Sequence, residues 1–365
     1  MKARLREHRY DAMAHVVVRL VGRLVGRLAE RPVDGLLGRL LKRSTHRKAP
    51  HLVGRFARPV LGRLVSAAIA AIVGMGSFAG TAGATSSSER DLAPSIGVAV
   101  GPQYDTTHVY VAEADLDAFV NSFTATFDGR ASPRGVFQVT PTPSQTASQY
   151  IQTPVGMLSV FGFKTPVPYP FGAERTGYLV TDIDEAVKQA RAAGADVIVA
   201  PFDDPIGRDA IVQFPGGVDM QLYWHTKAPH YGPLETVPVN RVYLSPYKAD
   251  AFVRSFVRFS KGHVVRDDRH ADAAQIGLPG QTFRRIDVVS AFGKLTAFVT
   301  DGRLPYPYGR ELTGYAVKDL DATLDKAKAS GASIVSDPVK TPDGRTAMIQ
   351  FPGGYVAEIH EARPE

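Results

Sequence analysis

The stretch PYPFGAERTGYLVTDID, Pro168–Asp184, returns as PYPYGRELTGYAVKDLD at Pro305–Asp321, 137 residues later. From these anchors the two copies agree at about half their positions, and each closes on QFPGG, at Gln213 and at Gln350. Thr176-Gly177-Tyr178 matches Thr313-Gly314-Tyr315, and Asp182 and Asp184 match Asp319 and Asp321. Upstream, HVYVAEADLDAFVNSF from His108 pairs with RVYLSPYKADAFVRSF from Arg241 at a spacing of 133, so a four-residue indel lies between. A period this long marks duplication of a whole domain; solenoid repeats are far shorter. The copies run over 105–226 and 238–362, with 227–237 as linker.

Each copy itself reads as two similar halves. In the second half of the first copy, TGYLV is a strand and DIDEAVKQARAAG a helix. Asp182 or Asp184 caps that helix, Ala186, Val187 and Ala190 form its apolar stripe, and Gly194 ends it. ADVIVAP, DAIVQF and VDMQLYW follow as strands. The first half repeats the order: HVYVA, a helix over LDAFVNSFTATF, then GVFQVT and MLSVFGF, with 141–152 a weakly signalled loop or hairpin. The expected class is α+β: two tandem copies of a paired βαβββ domain, with curved mixed sheets, outer helices and a cleft inside each.

Net charge is +7, but it is unevenly placed. Residues 1–84 hold 16 Lys and Arg against 4 Asp and Glu, leaving 27 against 32 for the rest. The repeat region is therefore mildly acidic, which argues against a nucleic-acid partner. Cysteine is absent, which excludes disulfides and thiol catalysis. LVSAAIAAIVGMGSFAG, Leu64–Gly80, is uncharged, follows a basic run and precedes Ala82-Gly83-Ala84. That order predicts a secretory signal cleaved near Ala84 and an exported, periplasmic or secreted protein. The alternative is an uncleaved membrane anchor, at the short end for a spanning helix. The membrane then enters only through this N-terminal segment.

The block GYLVTDIDEAVKQARAAGADV…GRDAIVQFPGGVDMQLYW and its partner GYAVKDLDATLDKAKASGASI…GRTAMIQFPGGYVAEIHE resemble the vicinal oxygen chelate superfamily, which includes glyoxalase I, extradiol dioxygenases and bleomycin-resistance proteins. The resemblance covers both copies. It implies a cleft in which first and last strands of the βαβββ units hold a divalent metal (Zn, Ni, Mn or Fe) that polarises vicinal oxygens of a small-molecule substrate, as a lyase or dioxygenase would. Carried over residue by residue, the first strands offer His108 and Arg241 and the last strands Gln221 and Glu358. The inner strand ends fall near Ser159, Thr176, Thr296 and Thr313, small hydroxyls where metalloenzymes of the family carry Glu, Gln or His.

Period-two alternation puts His108 and Tyr110, Arg241 and Tyr243, Gln221 and Tyr223, and Glu358 and His360 on one face of their strands, with aliphatics opposite. Neither copy carries a full ligand triad, and a guanidinium cannot ligate. A cleft shared between copies would bring His108 opposite Glu358 as metal ligands, with Glu358 as catalytic base. Arg241, Gln221, Tyr110 and Tyr243 are then the substrate-binding candidates. The alternative is a metal-free small-molecule binding or sequestering protein of the bleomycin-resistance type. Either reading allows a monomer or a homodimer.

Overall fold

The computed structural model describes residues 97–173, 176–305, 311–341 and 343–362. The signal or anchor segment, and Tyr306 and Tyr308 of the second PYPYG, lie outside them.

Two curled mixed sheets carry the repeat. The first is built from β1 (Thr106–Tyr110), β2 (Arg130–Ala131), β3 (Gly135–Phe137), β4 (Thr146–Thr153), β5 (Gly156–Phe163), β6 (Thr176–Leu179), β7 (Asp196–Asp203), β8 (Gly207–Phe214) and β9 (Val218–His225). Its order is β2-β4-β5-β1-β6-β9-β8-β7, with β3 beside β4. The second comprises β10 (Val239–Leu244), β11 (His263–Asp272), β12 (Thr282–Ser290), β13 (Gly293–Val299), β14 (Glu311–Val317), β15 (Ser333–Thr341), β16 (Gly344–Gln350) and β17 (Val356–Ala362), in the order β11-β12-β13-β10-β14-β17-β16-β15. In both, the first strands of the two halves meet antiparallel at the centre, β1 on β6 and β10 on β14. Each is flanked by a parallel partner from its own half, β5, β9, β13 and β17.

The structure adds β4 where the sequence signals only a loop or hairpin. TASQYIQT reads as polar because one of its faces looks into the cleft. The other face contributes Ala147 and Ile151, both fully buried.

Each half supplies one helix: α1 (Leu116–Thr126), α2 (Ile183–Ala193), α3 (Ala249–Ser260) and α4 (Leu320–Ala329). The Asp182 side chain accepts from the Glu185 amide at 2.9 Å, and Asp319 accepts from the Ala322 amide at the same distance, so these two are the N-caps. Gly194 closes α2 in the left-handed conformation, φ 101°. Asp184 and Asp321, two residues further in, instead bind Arg208 (2.7 and 3.2 Å) and Arg345 (2.9 and 2.7 Å).

The helices lie on the outer, convex side of the sheets, as the sequence predicts. They lie between the convex faces of the two sheets, and each packs on the other copy. Phe119 and Phe123 of α1 meet Phe351, Tyr355 and Tyr315 of the second copy at 5.1–6.0 Å between ring centroids. Phe252, Phe256 and Phe259 of α3 surround Phe214 of the first copy. Two large apolar clusters result, one joining α2 with α3 and one joining α1 with α4. An isolated copy would expose half of each, so these outer faces are covered only where the two copies meet.

Because both cores are shared, the two copies are expected to unfold in one cooperative transition. Phe123→Ala, at a site 1% exposed, is expected to cost about 3–5 kcal/mol and to lower that single transition as a whole. Chemical denaturation followed separately by far-ultraviolet dichroism and by fluorescence checks this; two resolved transitions would contradict the shared-core account.

Candidate functional site

Strand register decides which side chains look into each concave face, because paired residues of neighbouring strands share a face. In the second sheet Arg241 pairs with Thr296 on β13 and with Leu312 on β14, and Gly314 pairs with Glu358 on β17. Arg241, Thr296, Gly314 and Glu358 therefore line one floor. Thr313 faces the other way, its Oγ1 lying 3.1 Å from Thr107 Oγ1 between the sheets. The inner position is thus Gly314 rather than Thr313, one residue from where the sequence placed it. In the first sheet Thr106 pairs with Gly177 and Gly177 with Gln221, so Gly177 takes the same place beside His108.

These glycines are small for a reason. A Cβ on Gly314 would stand 2.6 Å from both Arg241 Cζ and Glu358 Oε2. A Cβ on Gly177 would stand 2.6 Å from His108 Nε2. In each copy the long first-strand side chain lies flat over the glycine of the inner strand. The matched Thr-Gly-Tyr of the repeat carries this signal, although the hydroxyl is the more conspicuous residue.

Arg241 and Glu358 form a buried ion pair, Nη2 to Oε2 3.0 Å, with each side chain 8% exposed. Glu358 also accepts from the Thr346 hydroxyl and lies 2.8 Å from His360 Nδ1. Burial alone would raise the Glu358 carboxyl. The Arg241 charge, His360 and the Thr346 hydroxyl outweigh it and hold the group at about 2. A carboxylate this acidic, with both oxygens engaged, is a poor general base, so the catalytic part suggested for Glu358 does not suit its surroundings. Arg241 Cζ stands 5.9 Å from the centre of Phe298, and Tyr243 packs on the same ring at 5.1 Å.

Above this floor is a cavity of about 330 Å³. Its outer wall is a closed ring of ion pairs that sequence reasoning missed. Arg266 bonds Asp287 at 3.2 Å and Asp343 at 2.8 Å; Arg285 bonds both acids at 3.0 Å. Asp343 sits in the turn between β15 and β16, whereas the arginines come from β11 and β12. The ring thus ties the two halves of the second sheet together across its concave side. No local pattern could reveal it, since its members are brought together only by the curl.

The first concave face is lined with rings. His108 meets Phe161 edge-on at 5.5 Å, and Tyr110 stacks on Phe161 at 5.2 Å. Tyr231 of the linker stacks on Tyr150 of β4 at 5.4 Å, and the Gln103 amide donates to the Tyr231 and Gly232 carbonyls. Burial lowers the neighbouring His225 to about 4.

The structure therefore sorts the predicted residues into two faces. His108, Gln221 and Tyr110 belong to the first; Arg241, Glu358 and Tyr243 belong to the second. The shared cleft that would pair His108 with Glu358 does not form, because each sheet completes its own concavity from its own two halves. Neither face fits a divalent metal. The second offers Glu358, already bound to a guanidinium that cannot ligate, and the adjoining His360, with a glycine at the inner position. The first offers His108 and Gln221 around another glycine. Among the described residues, no three His, Cys, Asp or Glu side chains are grouped to hold a metal. Nor, among them, is any helix long and apolar enough to cross a membrane.

No protein-family model matches the chain. The anthracycline biosynthesis protein DauV of Streptomyces sp. (strain C5) is 29% identical over 215 residues, 55% of this chain and 74% of that protein. A triple mutant of 4-hydroxymandelate synthase from Streptomyces coelicolor superposes with a TM-score of 0.51 at 14% identity, over 74% of this chain and 94% of that one. The chain has the tandem vicinal oxygen chelate fold.

Glu358→Gln leaves a buried guanidinium without its counter-ion and is expected to cost about 3–5 kcal/mol. Arg241→Met combined with Glu358→Gln is expected to cost less than the two single changes added together. Since the folded carboxyl titrates below its ordinary value, the stability it contributes is whole above about 4.5 and is lost as pH falls toward about 2. Urea unfolding of wild type and variants at pH 7 and across that acid window checks both; strict additivity would show that the pair is not coupled.

Proposed function

We propose that the second concave face is a metal-independent binding site for a small organic molecule, of the bleomycin-resistance kind. The observation that carries this is the Arg241–Glu358 pair closed over Gly314. It places a fixed positive charge where the fold would otherwise converge ligands on a metal. The cavity above it, about 330 Å³, is at the lower end of the size that encloses a drug-sized ligand. Val239 and Val289 give it an apolar side, and the charged groups give it a polar one. Metal-assisted lyase or dioxygenase chemistry would need three donors converging on one face, and among the described residues no three are grouped that way. The relative's part in anthracycline biosynthesis makes molecules of that class, and their precursors, the first to screen.

The expected result is that the purified chain, incubated separately with Zn, Ni, Mn and Fe, takes up no stoichiometric metal. One equivalent retained by wild type and lost in Glu358→Ala would sink the metal-free proposal in favour of the metalloenzyme.

We propose further that the protein works outside the cytoplasm, on the strength of the basic, apolar and small-residue order ending at Ala84. The mature N-terminus is expected at Thr85. Sequencing the N-terminus of the processed protein decides this, and an intact apolar segment on a membrane-bound product would favour the anchor.

A further inference from the structure

We infer that Arg241 is the ligand-holding cation of the second concave face, and that its ligand is a small monoanion, a carboxylate or comparable oxyanion on an apolar body. The inference rests on reading that face as the ligand site and deepens it by naming the chemistry recognised.

Arg241 is 7% exposed, and among the described residues only its Nη2 has an ionic partner, Glu358. Its Nε and Nη1 are buried and have no hydrogen-bond partner among the described residues. Buried donors on a charged group are ordinarily satisfied, since leaving them unmade forfeits their hydration without replacement. These two belong to a residue that lines the cavity. An acceptor oxygen entering there would complete the guanidinium.

Charge accounting over the cavity points to a negative acceptor. Arg266 and Arg285 are neutralised in the ring with Asp287 and Asp343. Arg345 is committed to Asp321 and Glu361, and Arg241 is half-satisfied by Glu358. Lys294 is the remaining lining cation. It stands two residues from Thr296 on β13, on the same face as Arg241, and no ionic partner is seen for it among the described residues. Counted over the lining alone, with Asp321 outside it, five cations (Arg241, Arg266, Arg285, Lys294 and Arg345) face four carboxylates (Asp287, Asp343, Glu358 and Glu361), a surplus of one positive charge beside unpaired donors. A metal would make the same floor more positive, but it would have to displace the guanidinium. A neutral ligand would satisfy the donors and leave Lys294 unmatched. The aliphatic side of the cavity suits an apolar body better than a bare inorganic ion.

Isothermal titration with sodium benzoate and with benzamide, its neutral isostere, reads the inference. Benzoate is expected to bind at least about tenfold more tightly than benzamide. That preference is expected to vanish in the Arg241→Met/Glu358→Gln double variant and to shrink several-fold in Lys294→Ala, an exposed change away from the core. Should the double variant not fold, Arg241→Lys serves instead: it keeps a charge for Glu358 and withdraws the Nε donor, so benzoate affinity should fall while benzamide affinity does not. Equal affinities for the two probes overturn the inference but leave the small-molecule site standing. Inorganic phosphate binding as well as benzoate overturns the apolar-body class. No saturable binding of benzoate below about 50 mM also overturns the inference, while the anthracycline-class screen still decides the broader function.

Discussion

The constraint on which the molecule rests is that each copy needs the other to complete the burial of its helices. α1 and α4 lie together against one cluster, α2 and α3 against the other, and both clusters draw residues from each sheet. The convex faces are therefore committed to the core, with the Thr107–Thr313 hydroxyl contact marking the meeting of the central strands. Once the convex sides are used, the concave sides are the only sheet surfaces left to line a site. Duplication is thus a packing requirement here, and the two concave faces are its by-product, free to diverge.

They have diverged in kind. The first face is lined by the rings of Tyr110, Phe161 and Tyr150, and the linker lays Tyr231 on Tyr150. The second keeps an open cavity and a charged wall. The contrast follows from two matched positions. His108 and Gln221 in one copy are Arg241 and Glu358 in the other. An imidazole beside a neutral amide can be packed by rings, whereas a guanidinium and a carboxylate must find each other or remain hydrated. Their pairing is what fixes the second floor.

Glycine is the permissive element in both. Gly177 and Gly314 have no positive φ to explain them; what they provide is space under the head group of the first-strand residue. A histidine or carboxylate at either point would build toward a metal site. The absence of a side chain lets a long polar residue of the neighbouring strand lie down across it. The chemistry of the floor is decided by what is missing from the middle strand as much as by what the outer strands supply.

Much of this was legible before any coordinates. The repeat, the βαβββ order, a helix cap at Asp182 or Asp184 and the inward facing of Arg241 and Glu358 follow from periodicity and spacing, because local geometry enforces them. Other features were not. β4 hides in polar sequence, the outer helices of each copy pack on the other copy, and Gly314, not Thr313, faces the cavity. The Arg266–Asp287–Arg285–Asp343 ring joins residues up to 77 apart in sequence. The sequence by itself determined that two alike sheets would form and which residues each strand would turn inward, since alternation along a strand is a local property. Only the tertiary structure decided that each sheet closes on itself, so that His108 and Glu358 never meet. That outcome depends on which convex surfaces bury one another, a property of the whole chain that no single segment carries.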